Sequence, residues 1–343
     1  SKNRHGRFRD SDAFRTLFES VVDRCISEGL VGAEGFAIDA SIIRADANRA
    51  RRVAADQPID WNDKALRTRA VREYLDGLDA GTAVPNPCSQ FSLTDPAARW
   101  TAAPGCAAFF AYSTNYLIDV KTGVIVDVEA TGVNRTEEVE ATKTMLDRVE
   151  ARHELKPAQL IGDTGYGTGP LLDWLVEDRQ ITPMIPVWDR PERQDGILPP
   201  SAFKYDEAED QYVCPQGKPM RSTGRATCDD TLLYRAKVAD CRVCSLRLKC
   251  CPRAEFRTVK RSIYERSREV ARRLAETDEY RRSRHKRKKV EVLFAHLKRI
   301  LRLDRLRLRG ASGARDEFLL AATAQNLRRM AKQWQKGTMI PAT

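Results

Sequence analysis

Apolar residues recur at steps of three and four through residues 11–29, "SDAFRTLFESVVDRCISEG". Phe14, Leu17, Phe18, Val21, Val22, Cys25 and Ile26 fall on one side of a helix there, with Ser11 placed to cap its start and Gly29 to end it. The period then changes to two. In "GFAIDASIIRA", Phe36, Ile38 and Ile42 alternate with Ala37, Asp39, Ser41 and Ile43, which predicts a strand. Leu66, Ala70, Tyr74 and Leu78 predict a helix over 60–78, and a stretch rich in Pro, Ala and Ser follows from 80 to 106. Residues 45–106 therefore read as an excursion from the core.

A hairpin comes next: "FFAYSTNYLIDV", a "KTG" turn, and "VIVDVEA", whose valines alternate with a row containing Asp127 and Glu129. Asn134 opens an N-x-x-E pattern with Glu137, the signature of a helix N-terminus, and Val139, Leu146 and Val149 carry the helix onward. A short strand ends at Asp163, a helix covers 170–178, and "ITPMIPV" has the texture of a buried strand. The order β, excursion, β-β-α-β-α-β predicts an α/β fold whose sheet is mixed, because one hairpin interrupts the crossovers.

Beyond Val187 the texture changes. Residues 188–256 are rich in Pro, Asp and Arg and hold six of the nine cysteines, as an inserted module would. Helical periodicity returns in "KRKKVEVLFAHLKRILRL", where Val290, Leu293, Phe294, Leu297 and Leu301 form an apolar stripe. The expected divisions are a helical remainder of an N-terminal region at 1–30, the first part of the main domain at 31–187, the insertion at 188–256, the rest of the main domain at 257–335, and a tail at 336–343.

Composition narrows the class. The chain has 343 residues, 42% of them apolar, enough to fill a core. It has no run of about 18 apolar residues that would cross a membrane. "SKNRHGRFRD" lacks the apolar segment of a signal peptide, so the expected location is cytoplasmic, against the nucleoid of a prokaryote. The missing initiator Met suggests a piece of something longer. The net charge of +11 is unevenly placed: residues 257–343 hold 25 Lys and Arg against 9 Asp and Glu. Such asymmetry suggests a polyanionic partner, since cations that neutralise phosphates release counterions.

Three carboxylates stand out against this background. Asp39 lies in a strand, Asp163 follows a strand end in "LIGDTGYGTGP", and Glu291 borders the apolar stripe of a cation-rich helix. The glycines after Asp163 are not a P-loop, because its lysine and its Ser or Thr are missing. Asp46, Asp119 and Asp127 are the substitutes for these acids, Asp127 first among them.

The ordered set resembles the DDE transposases of bacterial insertion sequences over about residues 10 to 332. The matching segments are "AIDASIIRADAN" around Asp39, "GDTGYG" at Asp163, and R-x3-E-x6-K formed by Arg287, Glu291 and Lys298. Arg284 stands where many relatives have a Tyr, three residues before that Arg. The resemblance implies a ribonuclease-H-like domain in which Asp39, Asp163 and Glu291 hold two Mg²⁺ or Mn²⁺ ions for in-line attack on a phosphodiester. In that reading the glycines near Asp163 let a phosphate backbone approach. Strand cleavage and strand transfer would act on double-stranded DNA, at element ends and target, with a homodimer as the working form. A degraded transposase that only binds DNA, or a related nuclease without strand transfer, are the alternatives. Arg284, Lys286, Arg287, Lys288, Lys289 and Lys298 are the expected phosphate contacts, which position DNA without reading its sequence. Cys214, Cys241, Cys244 and Cys250 have spacing compatible with a structural Zn²⁺ site, with Cys251 as a substitute for Cys250, and free thiols or a redox pair as the other readings.

Overall fold

The structure is a computed structural model that describes residues 11–64, 66–83, 85–103, 105–189 and 195–335. The chain divides into two units, residues 1–163 with 277–343, and residues 164–276. The second unit starts directly after Asp163 and ends before the helix of Glu291, so it extends past both ends of the 188–256 insertion.

In the first unit, helix α1 (Ala13–Ser27) buries Phe18, Val22 and Cys25 and ends at Gly29, whose φ of +67° suits a residue without a Cβ. Its N-cap is Asp12 and not Ser11, with no side-chain cap bond. Strand β1 (Phe36–Arg44) is followed by a short strand β2 (Arg52–Ala54), helix α2 (Arg69–Asp79), and strands β3 (Gln90–Ser92) and β4 (Arg99–Thr101). Helix α2 begins nine residues later than the apolar spacing suggests, because the Thr68 side chain caps it by accepting from Val71 N. Strands β2 and β3 form a small sheet of their own within the excursion.

The long strand β5 (Phe109–Asp119), buried along its whole length, pairs antiparallel with β1 on one edge. On its other edge it pairs antiparallel with β4 and with β6 (Ile125–Thr131). Helix α3 (Arg135–His153) starts at Asn134, whose side chain accepts from Thr136 N, and strand β7 (Gln159–Ile161) then runs parallel to β1. The mixed sheet expected from the pattern is therefore present, with helices packed on it. Helix α8 (Asp278–Arg299) packs on β1 and β7, and helix α9 (Ala311–Gln335) packs on β6 and α1. Asn326 of α9 bonds both backbone groups of Ile125, accepting from its N–H at 2.9 Å and donating to its carbonyl at 2.8 Å. Helix α8 stops at Arg299, so Leu301 lies beyond the stripe it was expected to extend.

Opposite faces of this sheet have different neighbours. Tyr116 lies across from Asp39, and its ring stacks on Phe294 of α8 at 5.3 Å. Ser113, on the other face by strand alternation, donates to Glu138 of α3 at 2.6 Å. Helices α8 and α3 thus cover the sheet from its two sides.

The second unit holds helix α4 (Gly169–Asp173), which continues as a π turn through Asp178, strand β8 (Thr182–Met184), and a five-stranded antiparallel sheet. That sheet is built from β9 (Lys204–Asp206), β10 (Gln211–Val213), β11 (Pro219–Arg221), β12 (Thr231–Arg235) and β13 (Thr258–Ser262). Short helices α5 (Val238–Arg242) and α6 (Arg247–Cys250) lie between its last two strands, and α7 (Glu265–Ala275) packs on α4. Ser267 fixes that packing by donating to Asp173 at 2.7 Å. Among the described residues, no helix is long and apolar enough to cross a membrane.

Candidate active site

Strand register brings two of the three acids together. The parallel pair β1–β7 matches Phe36 with Leu160 and Ala37 with Ile161. Two residues further along each chain come Asp39 and Asp163. Both therefore leave the β1–β7 ladder at the same end of the sheet. Asp163 sits just past the end of β7, while Asp39 is held mid-strand by its pairing with Tyr116 of β5.

Helix α8 brings the third. Tyr280, Ser283, Val290, Leu293, Phe294 and Leu297 are buried along it, at the helical spacing that the apolar stripe predicts. The stack of Phe294 on Tyr116 locates this stripe over the cross-strand neighbour of Asp39. Glu291 lies one turn before Phe294, at the border of the stripe, and its side chain is 58% exposed. Arg287 is one turn earlier still and 3.5 Å from the Glu291 carboxylate.

Electrostatics report the same gathering. The Asp39 carboxyl is pushed up to about 6, chiefly by burial, against the pull of the Ala40 N–H that it accepts at 2.9 Å. The charges of Asp163 and Glu291 push it further up, and Arg287 pulls it down. Four residues from three separate elements thus share one electric field. Repulsion between neighbouring carboxylates is what a bound cation relieves. The donors are all hard carboxylate oxygens, and those of Asp163 and Glu291 are partly open to solvent, which fits Mg²⁺ or Mn²⁺ in chemistry. Among the described residues, no three His, Cys, Asp or Glu side chains are disposed to hold a metal ion as they stand. Cations of the protein hold the acids meanwhile: Arg287 beside Glu291, and Arg135 at 3.9 Å from Asp163.

Arg135 carries no signal in the sequence beyond its place after a helix cap. It is the first residue of α3, pairs with buried Glu138 at 3.0 Å, and so sits between that helix and Asp163.

The substitute acids are committed elsewhere. Asp127 is buried against Arg15 at 2.5 Å and Arg148 at 2.7 Å. Asp119 accepts from Lys121 N, Thr122 N and the Thr122 hydroxyl, and so shapes the turn before β6. Asp46 pairs with Arg305 and Arg309, both at 3.1 Å. None of these three acts on the Asp39 carboxyl among its principal influences.

The expected phosphate contacts divide similarly. Arg287 belongs to the acid cluster, and Arg284 and Arg287 both pull down the hydroxyl of Tyr280, which burial raises. Lys298 is half-buried, its ammonium lowered by burial against the charge of Asp304. Lys286 is half-buried and Lys288 exposed, while the Lys289 side chain lies outside the described residues. The glycine expectation needs correction at two positions. A Cβ on Gly167 would meet the Pro186 carbonyl at 1.9 Å, and one on Gly169 would meet the Tyr264 ring at 3.0 Å. These glycines are required by chain packing inside the second unit, so a DNA backbone is not needed to explain them.

A mixed sheet flanked by helices is the architecture of a ribonuclease-H-like transposase domain. The family model described as "Transposase DDE domain" matches residues 32–327, and the chain belongs to that family. No curated protein and no solved structure matched the chain. Family membership implies a transposase-type function with DNA as the partner.

Proposed function

We propose that this chain is the catalytic domain of an insertion-sequence transposase that cuts DNA strands and transfers a 3′-hydroxyl end into target DNA. The observation that supports this reading is the family match over residues 32–327, joined by the influence of Asp163 and Glu291, from distant parts of the chain, on the Asp39 carboxyl. Asp39, Asp163 and Glu291 are the residues that would hold Mg²⁺ or Mn²⁺. When bound, a pair of such ions would activate the attacking oxygen and stabilise the leaving one. The sheet fixes the two aspartates, and α8 delivers the glutamate from above with freedom to adjust at an exposed position. Arg287 neutralises Glu291 in the resting site, and would turn to a phosphate oxygen once Glu291 is otherwise engaged. Arg284, Lys286, Lys288 and Lys298 would line the approach of the duplex, in a working complex of two copies that joins two element ends.

The reading is tested by Mg²⁺- or Mn²⁺-dependent cleavage of duplexes bearing the termini of the element. Asp39→Asn, Asp163→Asn and Glu291→Gln should each lower cleavage at least about 100-fold, equivalent to roughly 2.7 kcal/mol of barrier. Duplex affinity should survive these changes and should fall steeply with salt. Full cleavage by any two of the variants overturns the assignment. Cleavage without a joined product, on a target supplied in excess, would reduce the protein to a nuclease.

A further inference from the structure

The second unit contains a chemistry that strand cleavage does not use. One of its core clusters, against the five-stranded sheet, is small, with eight buried residues among those described, of which Cys241, Cys250 and Cys251 are three. Beside that core lies a pocket of about 230 Å³ whose lining includes Cys214, Cys241, Cys244 and Cys250. These four come from three places: the β10–β11 turn, the end of α5 with the loop after it, and the last residue of α6. All four are free thiols.

Local structure prepares two of them in particular. The turn 214–217 closes with Gly217 N donating to the Cys214 carbonyl at 2.8 Å, and Gly217 takes a φ of +73°. Lys218 N then donates to the Cys214 sulfur at 3.4 Å. That contact fixes the direction of the sulfur at the pocket lining. Cys241 and Cys244 are joined by the Cys244 N–H to Cys241 carbonyl bond at 3.3 Å, as a CxxC turn requires. Cys214 and Cys244 are only half-buried, unlike cysteines that serve as packing.

We propose that Cys214, Cys241, Cys244 and Cys250 form a thiolate site for Zn²⁺ that staples the second unit, with Cys251 excluded from the ligand set. Thiolates select soft or borderline cations, and a four-cysteine set containing CxxC suits tetrahedral zinc. A sheet of mostly three-residue strands over so small a cluster gains much from such a cross-link. Cys251 is buried against Cys241 and Cys250 and does not line the pocket. The four sulfurs do not already stand at coordination geometry. Thiols without a metal have no bond to gain by converging. Binding would draw the sulfurs inward, each ligating thiol giving its proton to solvent. The site is independent of the transposase reading, because it lies in no part of the acid cluster.

Metal analysis of the full chain, purified under reducing conditions, tests this. About one zinc per chain is expected, without iron. Cobalt(II) in place of zinc should give intense sulfur-to-metal charge-transfer absorption. Cys244→Ser and Cys250→Ser should lose the zinc, and Cys251→Ser should keep it. The proposal is overturned by wild-type protein that carries no zinc and takes none up from added Zn²⁺. Bound iron in its place, cobalt without the sulfur band, or zinc that depends on Cys251 and not on Cys250 would overturn it equally.

Discussion

Asp39 and Asp127 are partly or fully buried carboxylates on the same sheet, yet they face opposite sides of it. Asp39 shares its face with Tyr116 and helix α8, and Asp127, opposite Leu117, shares its face with α3. Asp127 is matched by two guanidiniums, from Arg15 of α1 and Arg148 of α3, and Arg148 also bonds Glu129 at 2.6 Å. Asp39 feels the charges of Asp163 and Glu291, and Arg287, which eases them, also pairs with Glu291. A buried charge with tailored partners serves the fold. A charge gathered with like charges is the kind that, in the proposed reading, a cation from outside would complete.

The largest effect that separates the two is on stability. Asp127→Asn leaves Arg15 and Arg148 facing a neutral group, and should destabilise the fold by about 3 kcal/mol or more. Denaturant midpoints at pH 7.5 would measure it. Cleavage per folded molecule should stay at the wild-type level. A variant that unfolds no more readily but fails to cleave would place Asp127 in the site and dissolve the distinction.

Asp39→Asn should do the reverse. The folded Asp39 carboxyl titrates at about 6 against an ordinary 3.8, so the fold favours the protonated form. Below the ordinary value the native and unfolded carboxyls are both protonated and no penalty exists. As pH rises through about 6, native Asp39 must take up its charge beside Asp163 and Glu291, and stability is lost. In metal-free buffer at pH 7.5, Asp39→Asn should therefore be more stable than wild type by about 2 kcal/mol, while cleavage disappears. The advantage should vanish near pH 3.5, and added Mg²⁺ should restore wild type alone. A loss of stability at pH 7.5 would mean that Asp39 is completed by the fold, as Asp127 is.

Much of this contrast was legible from residue order, and the reasons are local. "GFAIDASIIRA" and the hairpin of β5 and β6 report strands because their β-branched and aromatic side chains fit a pleated sheet packed on its faces. Asn134 marked the start of α3, since a cap is a bond between residues two apart. The acids stood out because the family resemblance rests on them. Partners distant in the chain left no such mark: Arg15 reaches Asp127 across 112 positions, so Asp127 alone kept the profile of a catalytic candidate. Short elements were equally silent. Strands β2, β3 and β9 to β11 span three residues each, too few to print a period of two. The glycines after Asp163 misled because clearance for DNA and clearance for Pro186 leave the same letter in the sequence.

Arg135 offers the finest version of the contrast, since it reaches both Glu138 and Asp163. Its guanidinium bonds Glu138 at 3.0 Å and stands 3.9 Å from Asp163, with its side chain 46% exposed. Glu138 keeps the Ser113 hydroxyl at 2.6 Å and the N-terminus of α3 without it. Arg135→Gln should thus cost about 1 kcal/mol of stability or less, as a solvent-facing ion pair does. Asp163 loses one nearby cation, so an incoming metal ion would meet less competition for its charge. The Mg²⁺ concentration for half-maximal cleavage should then fall about two- to fivefold, the equivalent of a pair worth ~0.4–1 kcal/mol, with kcat unchanged. A titration in which that concentration rises instead would show that Arg135 holds Asp163 in its working position and does not compete for it.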